Sequence, residues 1–436
     1  MLLLLAFLPV AASAQTGRFT LDGDFLARGE IRKGGITDSP NPGTDVDLAA
    51  FIQGRSRFTA QYELSAAGAK TPLMQIKVSA QYSGVWGSAE SNGISVGEAW
   101  MQLNSRKGFF VKLGRQYLSY DDQRIFGSDD WSMTGISHDL VKLGYEGGGH
   151  KAHLFLAFNQ NSANTAGGTY FTGGLQPYKA MEALWYHYDF QQIPLGVSLL
   201  MSNFAMQSHP DLAEITTFQQ QMAGGYVNFH PKHWTVEAAY YRQFGTADTG
   251  IKIAAWLGSV KTVWKPRDEW AFRLGYDHLS GDSDFAVPPS GMIGSGNPFQ
   301  LTQHTVLRGF NSLYGSHNRF YGAMDFFYVS TYVRGFTPGL QNLYAGVSWK
   351  PAPKWNLDLA YHYYATSACL SGHDKTLGHE LEMSASLAIQ PWLTLSAAYS
   401  FMQGSETMDF LQRTGEKKQL HWAWIMLQAT PRFLNP

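Results

Sequence analysis

The chain has 436 residues, 33 basic and 34 acidic, for a formal net charge of −1. A balance that even, without any basic run, excludes nucleic acid as an expected partner. Charged residues make up only 15% and aromatics 14%, so much of the surface is expected to face lipid rather than water.

The first 14 residues, MLLLLAFLPVAASA, read as a secretory signal peptide. Leu2 to Val10 form its apolar region, and Ala12-Ser13-Ala14 is a small-residue cleavage site before Gln15. The mature chain is then expected to be one domain over 15–436. Past residue 14 no apolar run approaches the ~20 residues a membrane helix needs. An exported chain that spans a membrane without such helices must close its strands into a barrel, because lipid satisfies no backbone hydrogen bond.

Strand-like alternation begins at once. Over Arg18 to Arg32, one face carries Phe19, Leu21, Gly23, Phe25, Ala27, Gly29 and Ile31. The other carries Asp22, Asp24, Arg28, Glu30 and Arg32, with Leu26 as the exception. The next strand sets Ile52, Phe58 and Tyr62 against Arg55, Arg57 and Glu63, and a third sets Ile76 and Val78 against Lys77. The dyad repeats along the chain. Eight short turns and nine longer loops separate the segments, which predicts an antiparallel transmembrane β-barrel of about 18 strands. Short turns are expected at the periplasm and long loops outside. One connection, residues 281–339, is too long to be idle and is expected either to pack on itself outside or to fold into the pore as a plug or gate. The last strand is expected to run from Gln419 to Phe433. Trp234, Trp264, Trp270, Trp349, Trp355 and Trp392 sit beside short turns and should form an interfacial girdle.

Signatures of enzymes are absent: no H-E-x-x-H, no P-loop, no G-x-S-x-G and no dinucleotide fingerprint. A single cysteine, Cys369, excludes an intramolecular disulfide framework and a Cys-based zinc site. No cofactor, metal site or catalytic residue is expected. What stands out is the polar phase of the strands. Arg28, Arg32, Arg55, Arg57, Lys77, Lys112 and Arg273 fall on it, opposed by acids that include Glu98 and Asp277. A basic lumen attracts anions, whereas a salt-bridge lattice would merely stiffen the wall.

The stretch Phe109 to Asp139, FFVKLGRQYLSYDDQRIFGSDDWSMTGISHD, carries the densest charge, with Asp121, Asp122 and Arg124 at its centre. Strict alternation puts Arg115 on the lipid face, unless a bulge near Gly114 shifts the register or Arg115 lies above the hydrocarbon band. This stretch, together with RSRFTAQYE (55–63), FNSLYGSHNRFYGAMDFF (310–327) and GLQNLYAGVSWKP (339–351), resembles the alginate-export family of bacterial outer-membrane barrels. The resemblance implies an 18-stranded barrel with a basic lumen that passes a polyuronate. It also implies that Arg55, Arg57, Arg115 and Arg124 line the constriction. The expected function is a monomeric, non-enzymatic outer-membrane channel for passive export or diffusion of an anionic polysaccharide or oligosaccharide. A general porin for small solutes and a plugged structural or adhesion barrel are the alternatives. Expected partners are the outer membrane with its lipopolysaccharide, a saccharide or small anionic solute, and a periplasmic export partner.

Overall fold

The computed structural model describes residues 15–33, 48–88, 93–163, 165, 176–207, 215–248, 250–283, 305–324, 338–412 and 419–434. The expected signal peptide lies outside them. Antiparallel neighbours run in chain order from β1 (Gln15–Lys33) and β2 (Ala49–Ala66) through β3 (Met74–Val85), β4 (Ile94–Asn104), β5 (Phe109–Tyr117), β6 (Ser137–Gly147) and β7 (His150–Phe158). They continue through β8 (Ala180–Asp189), β9 (Leu195–Gln207), β10 (Thr217–Phe229), β11 (Trp234–Asp248), β12 (Ile251–Arg267) and β13 (Trp270–Leu279). A two-residue β14 (Val306–Leu307) runs parallel to β12. The wall resumes with β15 (Leu340–Trp349), β16 (Trp355–Ala365), β17 (Thr376–Gln390), β18 (Leu393–Gly404) and β19 (Gln419–Ala429). Pairing of β1 with β19, from Phe25↔Ala429 to Lys33↔His421, closes a barrel of 18 wall strands.

Closure leaves no sheet edge for lipid to meet, which is what allows strands to span a membrane at all. The outward phase is apolar and unburied: Leu199 is 58% exposed, Leu274 60% and Ile425 57%. In a soluble protein such a surface would cost heavily; here it is the face that lipid wets. The tryptophans beside the short turns are exposed in stacked pairs, Trp234 on Trp264 and Trp270 on Trp349.

Two expectations need correction. The connection near Gly245–Gly250 is not long: β11 and β12 extend to Asp248 and Ile251, leaving two residues between them. The last strand does not run unbroken to Phe433. It ends at Ala429, and after Pro431 the short β20 (Arg432–Leu434) pairs with β1. Pro431 has no N–H to continue the ladder. Phe433 then packs on Phe25 and Phe58, and Arg432 meets Asp22 at 2.7 Å.

The buried side chains lie inside the barrel, around two inward-folded connections. L3 (residues 118–136) follows β5, and L7 (residues 280–339) follows β13. Leu118, Ile125 and Phe126 of L3 join Phe310, Tyr314 and Tyr321 of L7 and wall residues such as Phe155, Phe204 and Leu257 in one cluster. The described part of L7 therefore packs within the barrel rather than on itself outside.

Candidate functional site

L3 enters the lumen through a tight, left-handed path. Asp121, Gln123 and Asp129 have φ of 52°, 68° and 46°. Aspartate tolerates that region better than branched residues do, but three such positions in nine residues are sustained only by anchoring elsewhere.

The anchors span the lumen. On one side Asp121 accepts hydrogen bonds from Trp185 Nε1 at 3.1 Å and Ser198 Oγ at 2.5 Å, with Tyr241 Oη 3.5 Å away. On the other, Arg28 donates to the Trp131 carbonyl at 3.0 Å and lies 3.9 Å from its ring centre. Arg55 donates to the Asp130 and Ser132 carbonyls, and Gln81 to Met133. The Trp131 ring leans on Trp422 and Trp424 of β19. L3 thus reaches from β8, β9 and β11 to β1, β2, β3 and β19.

L7 runs beside it. Phe126 and Tyr314 form a parallel bridge, with Gly127 N donating to Tyr314 O at 2.8 Å and Tyr314 N to Ile125 O at 3.1 Å. Ser316 extends the contact, its amide donating to Gln123 O and its hydroxyl accepting from Asp129 N. Two glycines make this approach possible: a Cβ on Gly127 would sit 2.3 Å from Ser316 Oγ, and one on Gly315 would sit 2.3 Å from Arg124 O. L7 is tied to the wall by Gln243 to Asn311, by Glu382 accepting from Ala323 N and by Glu380 accepting from Met324 N.

Where the loops meet, Arg124 is buried. Its Nη1 lies 3.0 Å from Asp277 and 3.1 Å from Tyr321 Oη, its Nε 3.1 Å from Asp122, and its guanidinium 4.2 Å from the Phe320 ring. Burial opposes its charge, but the Asp277 and Asp122 carboxylates and the ring oxygens outweigh that and push its pKa further up. Burial likewise raises the Asp121 carboxyl, against the lowering by Ser198 and Trp185. Below Arg124 a cavity of about 290 Å³ is lined by Glu237, Lys261, Arg273, His362, Glu382 and Tyr344, among others.

The basic residues expected in the lumen are mostly paired. Glu30 takes both Arg28 and Arg32 at 2.8 Å. Arg55 meets Asp24 at 2.6 Å, and Arg57 meets Asp130 at 3.1 Å. Lys77 meets Glu98 at 2.5 Å, and Arg273 grips Asp358 with both nitrogens. Asp277 also accepts from Asn342 at 3.0 Å. Arg115 is the correction. Register runs unshifted through Gly114, so Arg115 shares the outward phase of Leu113 and pairs with Asp139 at 2.8 Å on the neighbouring strand, two residues from the loop end. It stands outside the lumen, so it does not join Arg55, Arg57 and Arg124.

Lys112 differs from the rest. It lies 3.6 Å from the Trp100 ring centre and stands opposite Lys142 in the β5–β6 register. Lys142 donates to Tyr120 Oη at 3.3 Å. Neither lysine has an ion pair among the described residues. Lys142 and Trp100 were not singled out from the sequence, although Lys142 alternates with Val141 and Leu143 as an inward residue should. No group of three His, Cys, Asp or Glu side chains able to hold a metal occurs among the described residues.

Among curated proteins nothing matches the sequence. The fold is similar to that of Pseudomonas aeruginosa OccK9 (OpdG), with TM-score 0.61, 12% identity and coverage of 95% of this chain and 98% of that one. Acinetobacter baumannii OccAB4 gives TM-score 0.59 at 12% identity, with 95% and 98% covered. Pseudomonas aeruginosa OprD gives TM-score 0.56 at 12% identity, with 96% of each covered. The family model for alginate export matches residues 75–369, more than half of the chain and including L3 with its anchors on β8, β9 and β11. The protein is an outer-membrane β-barrel channel that belongs to the alginate-export family.

Proposed function

We propose that the channel conducts carboxylate-bearing saccharides or similarly sized organic anions, passively and without chemistry on them. The observation that carries this reading is the Lys112–Lys142 pair. Like charges facing each other across one register position repel, and an anion between them relieves that repulsion. Arg55, Arg57, Lys77 and Arg273 are each held by a carboxylate, whereas this facing pair has none among the described residues and so adds positive field to the lumen. Trp100 beneath Lys112 adds a flat apolar face of the kind on which a sugar ring rests. The family's name, alginate export, fits an anionic saccharide.

In the same reading L3 and L7 act as the gate. They cross the lumen, so passage requires their shared junction to shift. The ion pairs of Arg55 and Arg57 with Asp24 and Asp130 then belong to the gate's hinge rather than to an anion track.

A second reading, a general diffusion channel for small solutes, is favoured by how many interior charges cancel. The two part in planar bilayers under a KCl gradient. Replacing Lys112 and Lys142 together by Gln should move the reversal potential toward cation preference and weaken block by an oligouronate added to one side. An unchanged reversal potential and unchanged block would reject the lysine pair as the selecting element and leave the general channel.

A further inference from the structure

The outer surface carries a second cationic feature that conduction does not use. On β11 the outward phase runs Trp234, Val236, Ala238, Tyr240, Arg242 and Phe244. On β12 it runs Lys252, Ala254, Trp256, Gly258, Val260, Thr262 and Trp264. Register sets Arg242 opposite Trp256 and Thr246 opposite Lys252. On the far side of β12, β14 lies parallel, with Val306 beside Lys252 and Leu307 beside Ile253. Leu307 and Ile253 both pack inward, so the next residue, Arg308, emerges beside Ala254. Arg242, Lys252 and Arg308 are all exposed and flank the outward Phe244–Ala254 pair, Arg242 one step below it and Lys252 one step above. None of the three is ion-paired among the described residues.

Their height is what gives the cluster meaning. Trp264 and Trp256 are eight residues apart on β12, roughly 26 Å along the strand and about 20 Å along the membrane normal at a ~40° tilt. Trp256, 37% exposed and stacked on His278 at 4.6 Å, therefore lies about 5 Å inside the long-loop edge of an apolar band ~25 Å tall. Lys252 lies about 10 Å above Trp256 and so about 5 Å beyond that edge by the same geometry. This is the headgroup layer, not the hydrocarbon and not open water. At the corresponding level on β5 and β6, the outward cation Arg115 is already cancelled by Asp139. On β8 and β9 the outward pair is Glu182 and Asn203, which carries no cation.

We propose that Arg242, Lys252 and Arg308 form a binding site for the phosphate groups of an anionic, phosphorylated glycolipid of the outer leaflet. Guanidinium forks suit phosphate oxygens, and Trp256 and Tyr240 below them offer flat surfaces to the sugar and the first acyl carbons. The site fastens one sector of the barrel to the leaflet, above the strands whose inner faces hold Glu237, Lys261 and Asp277.

Native mass spectrometry of the full-length barrel in non-ionic detergent tests this, with a bisphosphorylated glucosamine lipid, its dephosphorylated form and inorganic phosphate as probes. The bisphosphorylated lipid should be retained preferentially, and the triple variant R242Q/K252Q/R308Q should lower its affinity roughly tenfold or more. The variant R115Q/D139N should leave retention unchanged, since its cation was never available. Heat-dependent electrophoretic mobility reports whether each barrel is folded. If the triple variant fails to fold, the single rim change K252E should give the same direction of loss. Wild-type retention in folded R242Q/K252Q/R308Q or folded K252E, equal retention of the dephosphorylated lipid, or full displacement by millimolar inorganic phosphate would each overturn the assignment.

Discussion

Replacing Arg124 by Met tests the proposed gate at its most buried ion group. Arg124 and Asp277 are 3% and 2% exposed at their side chains and 3.0 Å apart, with Asp122 and Tyr321 sharing the guanidinium. Met keeps much of the volume and removes the charge, so the Asp277 carboxylate is left in a buried junction with only the neutral donors Asn342 and Ser259. Removing one partner of a buried pair costs ~3–5 kcal/mol. The barrel wall holds its own backbone ladder, so that cost falls mainly on the docking of L3 against β13 and against L7. A shift of that size changes the docked-to-displaced ratio by a factor of roughly 10² to 5 × 10³. In planar bilayers R124M should spend a far larger fraction of time in high-conductance states. Its strand content by circular dichroism and its heat-dependent mobility should stay those of the native barrel. The double variant R124M/D277N removes the orphaned charge as well and should return much of the closed fraction. Native-like open fraction in R124M, with the barrel folded, would refute the reasoning. So would a double variant no more closed than the single.

Phe126→Ala empties the centre of the L3–L7 bridge, where Phe126 is 1% exposed, and should weaken docking by ~3–5 kcal/mol, read as raised basal conductance of a folded barrel. Asp121 gives a pH dependence of definite sign. Burial raises its carboxyl in the docked loop, so docking is favoured fully below the ordinary aspartate value of ~3.9 and loses that contribution as pH rises through the raised value. Open fraction should therefore fall on acidification across that window, and D121N should flatten the slope; a rise on acidification contradicts the assignment. Placing Ala at Gly127 drives a Cβ into Ser316 and should open the channel much as Phe126→Ala does, while Gly→Ala at the solvent-facing Gly68 should not affect conductance.

Much of the architecture was legible because a strand between lipid and a lumen writes its two faces into alternate residues. Turn lengths supply the count. Leu274 and Ile425 outside and Arg28 and Arg57 inside follow from phase alone. The break at Pro431 was also readable, since proline cannot donate to a ladder, though the alternation on either side of it concealed the change from β19 to β20. Arg115 shows the value of trusting phase over motif. Its position in a charged stretch suggested the constriction, while its spacing from Leu113 placed it outside.

What the chain alone determined is a closed antiparallel wall with an apolar exterior and a polar interior, because those properties depend on neighbours one and two residues away. Tertiary structure alone decided which charges remain free. Whether Arg55 meets Asp24, Arg124 meets Asp277, or Lys112 faces Lys142 with no ion pair depends on strand register and on the paths of L3 and L7. Those paths join residues separated by tens to hundreds of positions, and no local pattern encodes the distance between such side chains.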